Sequence, residues 1–218
     1  MALKSKESEQ SQGALLRWVR SNSKYLTLTS IAAAGIAVYQ FLHIELDVQL
    51  YFVSGALLTL SYAIPFTSNK GLRYVPFIKT IIVAVVWGIA TVAPVVEIWD
   101  VTAFVLLMVR VFFVLSLTLP FEIRDVEIDK KDELVTIVGQ IGVEKTKLMA
   151  FAFLFTSAFL HLAFFPAFHK PLILSFALPT LILYDLNRFS GEYSYTFGLD
   201  GCMIFQLASL YLWHEYVV

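Results

Sequence analysis

The sequence predicts an all-α integral membrane protein, a single bundle of about seven transmembrane helices. Of its 218 residues, 58% are hydrophobic and 15% are charged, whereas soluble domains contain about 45–50% apolar and about 25% charged residues. The apolar residues are gathered in blocks of roughly 17–22, the length of helix that crosses about 30 Å of hydrocarbon. The blocks do not alternate in polarity, which excludes the strands of a membrane barrel.

Each apolar block is followed up to the glycine, proline or charged residues that interrupt it. The predicted spans are Tyr25–His43, Val48–Pro65, Pro76–Val96, Val101–Leu119, Thr146–Phe165, Pro171–Asp185 and Phe197–Trp213. Residues 1–24 precede them as a polar tail. We therefore expect one membrane domain over residues 25–218.

The distribution of lysine and arginine predicts the orientation, because these residues are retained on the cytoplasmic side. The tail and every second connection hold nearly all of the 16 cations, whereas the connections on the opposite side hold only Lys170. The N-terminus and the acidic segment after residue 121 are therefore predicted to be cytoplasmic, and the C-terminus to lie outside.

Several functional classes are excluded at this stage. The formal net charge of -1 gives no basic surface for nucleic acid. Cys202 is the only cysteine, so neither an intramolecular disulfide nor a cysteine metal cluster is expected. The sequence contains no P-loop, dinucleotide fingerprint or Ser-His-Asp arrangement.

Arg110 lies inside a predicted span, where a charge costs about 2.5–3.5 kcal/mol to insert. It must therefore face the interior of the bundle. It either joins two helices through a carboxylate or carbonyl groups, or lines a polar cavity that receives an anionic ligand. His161, also within a span, is interpreted as a hydrogen-bonded packing residue.

The segment after residue 121 is rich in acidic residues. If it is helical, Glu122, Asp125, Asp129 and Asp132 share one face, because their offsets are 0, 3, 7 and 10. A divalent cation relieves the repulsion between stacked carboxylates, and Mg²⁺ shares its remaining positions with phosphate oxygens. The pattern indicates a phosphate-rich substrate held through metal by Asp125 and Asp129.

Nearby cations suit the same ligand, since Arg124, Lys130 and Lys131 are available to contact phosphate directly. The alternative is a solvated loop whose charges pair locally, for instance Glu127 with Lys131 at four residues' separation.

The stretch Arg110–Asp132 resembles the second aspartate-rich region of UbiA-type intramembrane prenyltransferases, with the DxxxD pattern on Asp125 and Asp129. Tyr62–Pro65 and the following Leu72–Lys79 resemble the segment that precedes this region in the family. The likeness extends over Leu57–Gly142, with a weaker similarity around Gly198–Gly201.

The resemblance implies transfer of a polyprenyl group from its diphosphate to a lipophilic acceptor in the membrane. The implied metal ligands are Asp125, Asp129 and Asp132, the first two also being catalytic; the implied substrate contacts are Arg124, Lys130, Lys79 and Arg110. Family members have nine helices and an earlier NDxxDxxxD motif, which the sequence before Tyr62 lacks. Loss of two helices with that motif preserves the orientation of the rest.

Two other functions are compatible with the sequence. One is a non-catalytic membrane scaffold or lipid-binding protein derived from the same fold. The other is a small transporter with Arg110 in its pathway. The motifs carry no information on the acceptor, the prenyl chain length or the oligomeric state.

Overall fold

The computed structural model describes residues 17–63, 77–131, 135–166, 169–185 and 194–217, and regular structure in these ranges is entirely helical. The helices are α1 (Ser23–His43), α2 (Leu46–Ala63), α3 (Ile78–Val92), α4 (Val101–Lys131), α5 (Ile137–Ile141), α6 (Val143–Phe164), α7 (His169–Tyr184) and α8 (Asp200–Val217). A 3₁₀ turn over Ala93–Val95 follows α3, and a π-helical turn over Ser194–Leu199 leads into α8.

The predicted all-α class is confirmed, and each predicted span overlaps one of these helices. Four helical segments in the described ranges are long and apolar enough to cross a membrane: Ser23–His43, Ile78–Val95, Val101–Glu127 and Val143–Phe164. The apolar parts of α2 and α7 are shorter. Seven transmembrane helices therefore remain a prediction, as does the orientation of the termini.

The chain divides into two compact units, with the boundary between Leu50 and Tyr51. In the first unit, α1 buries none of its residues. Apolar side chains of this helix such as Ile31, Ile36 and Leu42 are exposed, and an apolar exposed surface is typical of a helix in lipid.

The second unit is built around α4, which packs against both α3 and α6. Its core contains Phe113 and Leu117 from α4, Leu154 from α6 and Leu183 from α7, all of them almost fully buried. Lipid is as apolar as these side chains, so close packing and interhelical hydrogen bonds hold such helices together.

Small residues bring α3 and α4 into close contact. Ala84 is fully buried, and a Cβ atom added to Gly88 would lie only 2.8 Å from Cγ2 of Val111 and 3.1 Å from Cδ1 of Leu107. The absence of a side chain at Gly88 therefore sets the separation of the two helices.

The helix α4 continues well beyond Leu119, where we predicted its span to end. Pro120 lies inside it and is fully buried. Proline has no backbone N–H, so the usual bond to the carbonyl of Ser116 cannot form, yet buried prolines are tolerated in membrane helices. The acidic segment is consequently helical as far as Lys131.

An aromatic pair connects the start of α2 with the segment between α3 and α4. Trp99 Nε1 donates a hydrogen bond of 2.6 Å to the hydroxyl of Tyr51, and the ring centroids are 5.8 Å apart. This contact ties that segment to α2.

Candidate functional site

A cavity of about 800 Å³ lies between α3, α4 and α8. This volume falls within the range of about 300–1,000 Å³ typical of small-molecule sites. Its wall is mainly apolar and includes Val83, Phe113, Val114, Leu117, Met203 and Ile204. Charged and amide side chains are confined to its two ends, which we call the Glu122 end and the Arg110 end.

The two ends are well separated along α4. Glu122 follows Arg110 by twelve positions in the helix, a rise of about 18 Å along its axis. Gln206 of α8 bonds Arg110, whereas Asp200 interacts electrostatically with Arg124, so α8 runs antiparallel to α4. The cavity is therefore elongated in the direction of the helices.

The Glu122 end is organised around a buried carboxylate. The Thr80 hydroxyl donates to Glu122 Oε1, and the backbone N–H of Ile137 donates to Oε2 over 3.2 Å. Lys79 and Asp200 also line this end. Glu122 belongs to the predicted acidic stripe, but its place in the cavity was not predicted; the available signal was its position directly after the apolar run that ends at Phe121.

The Arg110 end lies deep within α4, nine residues after Val101, or about 14 Å along the helix. The guanidinium of Arg110 lines the cavity and donates to Oε1 of Gln206. The structure shows both predicted environments, because Arg110 lines the cavity and also joins α4 to α8 through the amide carbonyl oxygen of Gln206. Whether Arg110 contacts a ligand stays a prediction.

Asp125, a predicted metal ligand, is paired with the residue next to it. Arg124 Nε lies 2.6 Å from Oδ1 of Asp125, and Arg124 Nη2 lies 3.0 Å from Oδ2. The same guanidinium is 5.1 Å from the centroid of the Phe121 ring and 5.5 Å from that of Tyr195. Burial raises the pKa of the Tyr195 phenol, whereas the charge of Arg124 opposes that rise.

Asp129, the second predicted ligand, is buried, and its Oδ2 atom has no hydrogen-bond partner among the described residues. Within the described ranges, no group of three histidine, cysteine, aspartate or glutamate side chains is arranged to hold a metal ion. Asp132 lies outside those ranges. Of the two described ligands, Asp129 is the one with an unoccupied carboxylate oxygen.

The predicted substrate-binding cations are distributed over two places. Lys79 and Arg110 line the cavity, but Arg124 and Lys130 are not among its lining residues. Lys130 Nζ lies 3.3 Å from Glu127 Oε1 in an exposed ion pair. The predicted local pairing of Glu127 thus occurs, but with Lys130.

His161 is a buried packing residue, as expected. It lies on α6 with its ring in an edge contact with Phe165, at a centroid distance of 5.0 Å. Its Nδ1 atom has no hydrogen-bond partner among the described residues. Ser157 lies one turn earlier on α6. Its hydroxyl donates a hydrogen bond of 2.7 Å to the carbonyl of Val109 and so links α6 to α4.

No family model, curated protein or solved structure matches this chain.

Proposed function

We propose that this chain is a UbiA-like membrane protein that binds a polyprenyl diphosphate and transfers its prenyl group to a lipophilic acceptor. The observation that carries the proposal is the elongated cavity of about 800 Å³ with an apolar wall and charged ends. An isoprenoid chain suits the apolar section between Val83, Phe113 and Met203, because a hydrocarbon bound there contacts apolar side chains and is shielded from water.

The diphosphate belongs at the Glu122 end in this proposal. Lys79 lines that end. A second cation, Arg124, lies two residues after Glu122 on α4. Glu122 and Asp200 are also there, and they repel an anion unless a cation intervenes.

Magnesium is the cation that the sequence pattern favours. Mg²⁺ typically uses one or two carboxylates and completes its coordination with phosphate oxygens and water. The Oδ2 atom of Asp129 supports that role, because no described residue bonds it, whereas both carboxylate oxygens of Asp125 contact Arg124. Bound Mg²⁺ would neutralise charge on the diphosphate.

Binding is the first test. Purified protein in nanodiscs is titrated with farnesyl diphosphate, with Mg²⁺ and then with EDTA. We expect Mg²⁺-dependent binding that weakens roughly tenfold in Asp129→Asn and in Lys79→Gln, because each loses a contact to a charged group. Glu127→Gln is the matched control, since this exposed carboxylate lies on the same helix and is paired with Lys130.

The proposal fails if farnesol binds as tightly as the diphosphate, or if EDTA and both variants leave binding unchanged. Transfer is tested separately with radiolabelled prenyl diphosphate and a membrane lipid extract. The expected result is a labelled lipid product together with released pyrophosphate, both lost in Asp129→Asn.

A non-catalytic lipid-binding protein is the second candidate. It is favoured by the Arg124–Asp125 pair, which engages both oxygens of a predicted ligand. Tight prenyl diphosphate binding without any labelled product would support this candidate over the transferase.

A further inference from the structure

We infer that the Arg110 end of the cavity binds the carboxylate of a lipophilic acid, whose apolar body lies along the cavity wall towards the Glu122 end. The carboxylate lies at the opposite end of the cavity from the proposed diphosphate, although both ligands use the same apolar wall, and the inference does not rest on the proposed function.

The first argument is the charge of Arg110. The ion pairs in the described part of the chain join Arg124 to Asp125, Lys130 to Glu127 and Lys147 to Glu144. None of these includes Arg110. A guanidinium deep in a membrane helix is costly without a counterion, so a ligand that brings one negative charge to this place is stabilised.

The second argument is the set of hydrogen-bonding groups. A guanidinium has five N–H donors and no acceptor, and among the described residues Arg110 has one partner, Oε1 of Gln206. That bond uses one lone pair of the Gln206 amide oxygen and leaves the NH₂ group of Gln206 as a donor. Gln206 is itself buried. Arg110 and the NH₂ group of Gln206 thus supply N–H donors at this end of the cavity.

The donor set favours a carboxylate over a phosphate. A planar guanidinium matches the two oxygens of a carboxylate in a bidentate arrangement. One carboxylate also cancels the single charge of Arg110, whereas a dianionic phosphate would leave an excess negative charge in the apolar interior.

The remainder of the ligand is identified by the wall next to Arg110. Phe113, Val114 and Ile204 line the adjoining section of the cavity. A long hydrocarbon body satisfies this surface, whereas a small polar acid does not. The ligand class is therefore a lipophilic monocarboxylic acid, such as a fatty acid.

The test uses a photoactivatable fatty acid on the full-length protein in nanodiscs, at a pH of about 9 so that carboxylates are ionised. Crosslinks are mapped by mass spectrometry and are expected on α4 and α8 beside Arg110. Oleate should compete for labelling roughly ten- to a hundredfold better than oleyl alcohol, because the alcohol lacks the charged hydrogen bonds. The monoalkyl phosphate of the same chain should compete less well than oleate.

Two variants decide the role of the pair. Arg110→Leu should abolish the preference for acid over alcohol. Gln206→Glu places a carboxylate of the protein against Arg110 and should remove labelling with little change in shape. Lys79→Leu, at the other end of the cavity, should keep the preference.

Equal competition by acid and alcohol would overturn the inference, as would an unchanged preference in folded Gln206→Glu. Folding is checked by thermal unfolding in the same nanodiscs, and Arg110→Lys, which keeps the charge but not the planar fork, replaces Arg110→Leu if that variant does not fold. Farnesyl diphosphate binding is measured in parallel, so that failure of the diphosphate site is distinguished from failure of this one.

Discussion

The Thr80 hydroxyl donates a hydrogen bond to Glu122 although the two residues are 42 positions apart in the chain. The second carboxylate oxygen of Glu122 accepts the N–H of Ile137. One buried side chain therefore connects α3, the part of α4 beyond Pro120 and the start of α5. The Glu122 end of the cavity keeps its shape through these two bonds.

Glu122→Ala is expected to lower the free energy of unfolding by about 1–3 kcal/mol, because it leaves two donors without their partner. Glu122→Gln should cost less, since it retains one acceptor. Unfolding by denaturant in micelles, followed by circular dichroism, measures the difference. Glu127→Ala on the exposed side of the same helix is the control and should change stability by at most about 1 kcal/mol.

Gly88→Ala is expected to destabilise the α3–α4 pair, because the new methyl group would lie 2.8 Å from Val111 Cγ2. Overpacking of this kind costs about 1–3 kcal/mol. Gly35→Ala in α1 is the matched control, since its added Cβ would meet nothing within 4 Å. Combining Gly88→Ala with Val111→Ala should restore part of the lost stability, and additive losses in the double variant would contradict the proposed contact.

Ser157→Ala removes the buried hydrogen bond from α6 to the carbonyl of Val109. Polar contacts between membrane helices contribute about 0.6 kcal/mol on average and about 1.7 at most, so we expect a loss in that range from the same unfolding assay. Thr156→Ala serves for comparison, because its hydroxyl bonds within its own helix and is exposed. A larger effect at Thr156 than at Ser157 would argue against the interhelical role.

The raised pKa of Tyr195 predicts a dependence of stability on alkaline pH. The folded state holds the phenol proton more tightly than the unfolded state does. Its contribution is fully present below the ordinary phenol value of about 10 and is lost as the pH rises through the folded value. Phenylalanine cannot ionise. The wild type should therefore lose stability relative to Tyr195→Phe only as the pH rises above the ordinary phenol value of about 10. A constant difference across the alkaline range would contradict the shift.

Helix positions followed from the sequence because apolar length is a local property. Each predicted span overlaps an observed helix, and the largest difference is at α4, which continues past the predicted end of its span at Leu119 as far as Lys131. Pro120 interrupts the apolar run there, and proline removes a backbone hydrogen bond. In the structure this proline is buried among neighbouring helices, which the sequence of α4 alone does not reveal.

The candidate site was predictable only in part, because it depends on which helices are neighbours. The spacing of Glu122, Asp125 and Asp129 does fall on a helix. Their environments nevertheless differ: Glu122 is bonded to Thr80, Asp125 is paired with Arg124, and Asp129 is buried with a free oxygen. No regularity of spacing predicts these three outcomes.

For Arg110 the sequence likewise predicted the location but not the partner. Its charge within an apolar run was sufficient to place it towards the interior. Its partner, Gln206, is 96 residues away in the chain and is an uncharged amide. A search for opposite charges could not have selected it.

The hydrogen bond between Trp99 and Tyr51 has a consequence for the depth at which α4 sits. Tryptophan and tyrosine prefer the boundary between lipid headgroups and hydrocarbon. Trp99 lies just before α4 begins, and its hydrogen bond joins it to Tyr51 on α2. Sliding of α4 along the bilayer normal would either break this bond or drag both rings out of that boundary. In a bilayer the aromatic pair would therefore oppose a change in the depth of α4 and of Arg110, which lies nine residues after Val101.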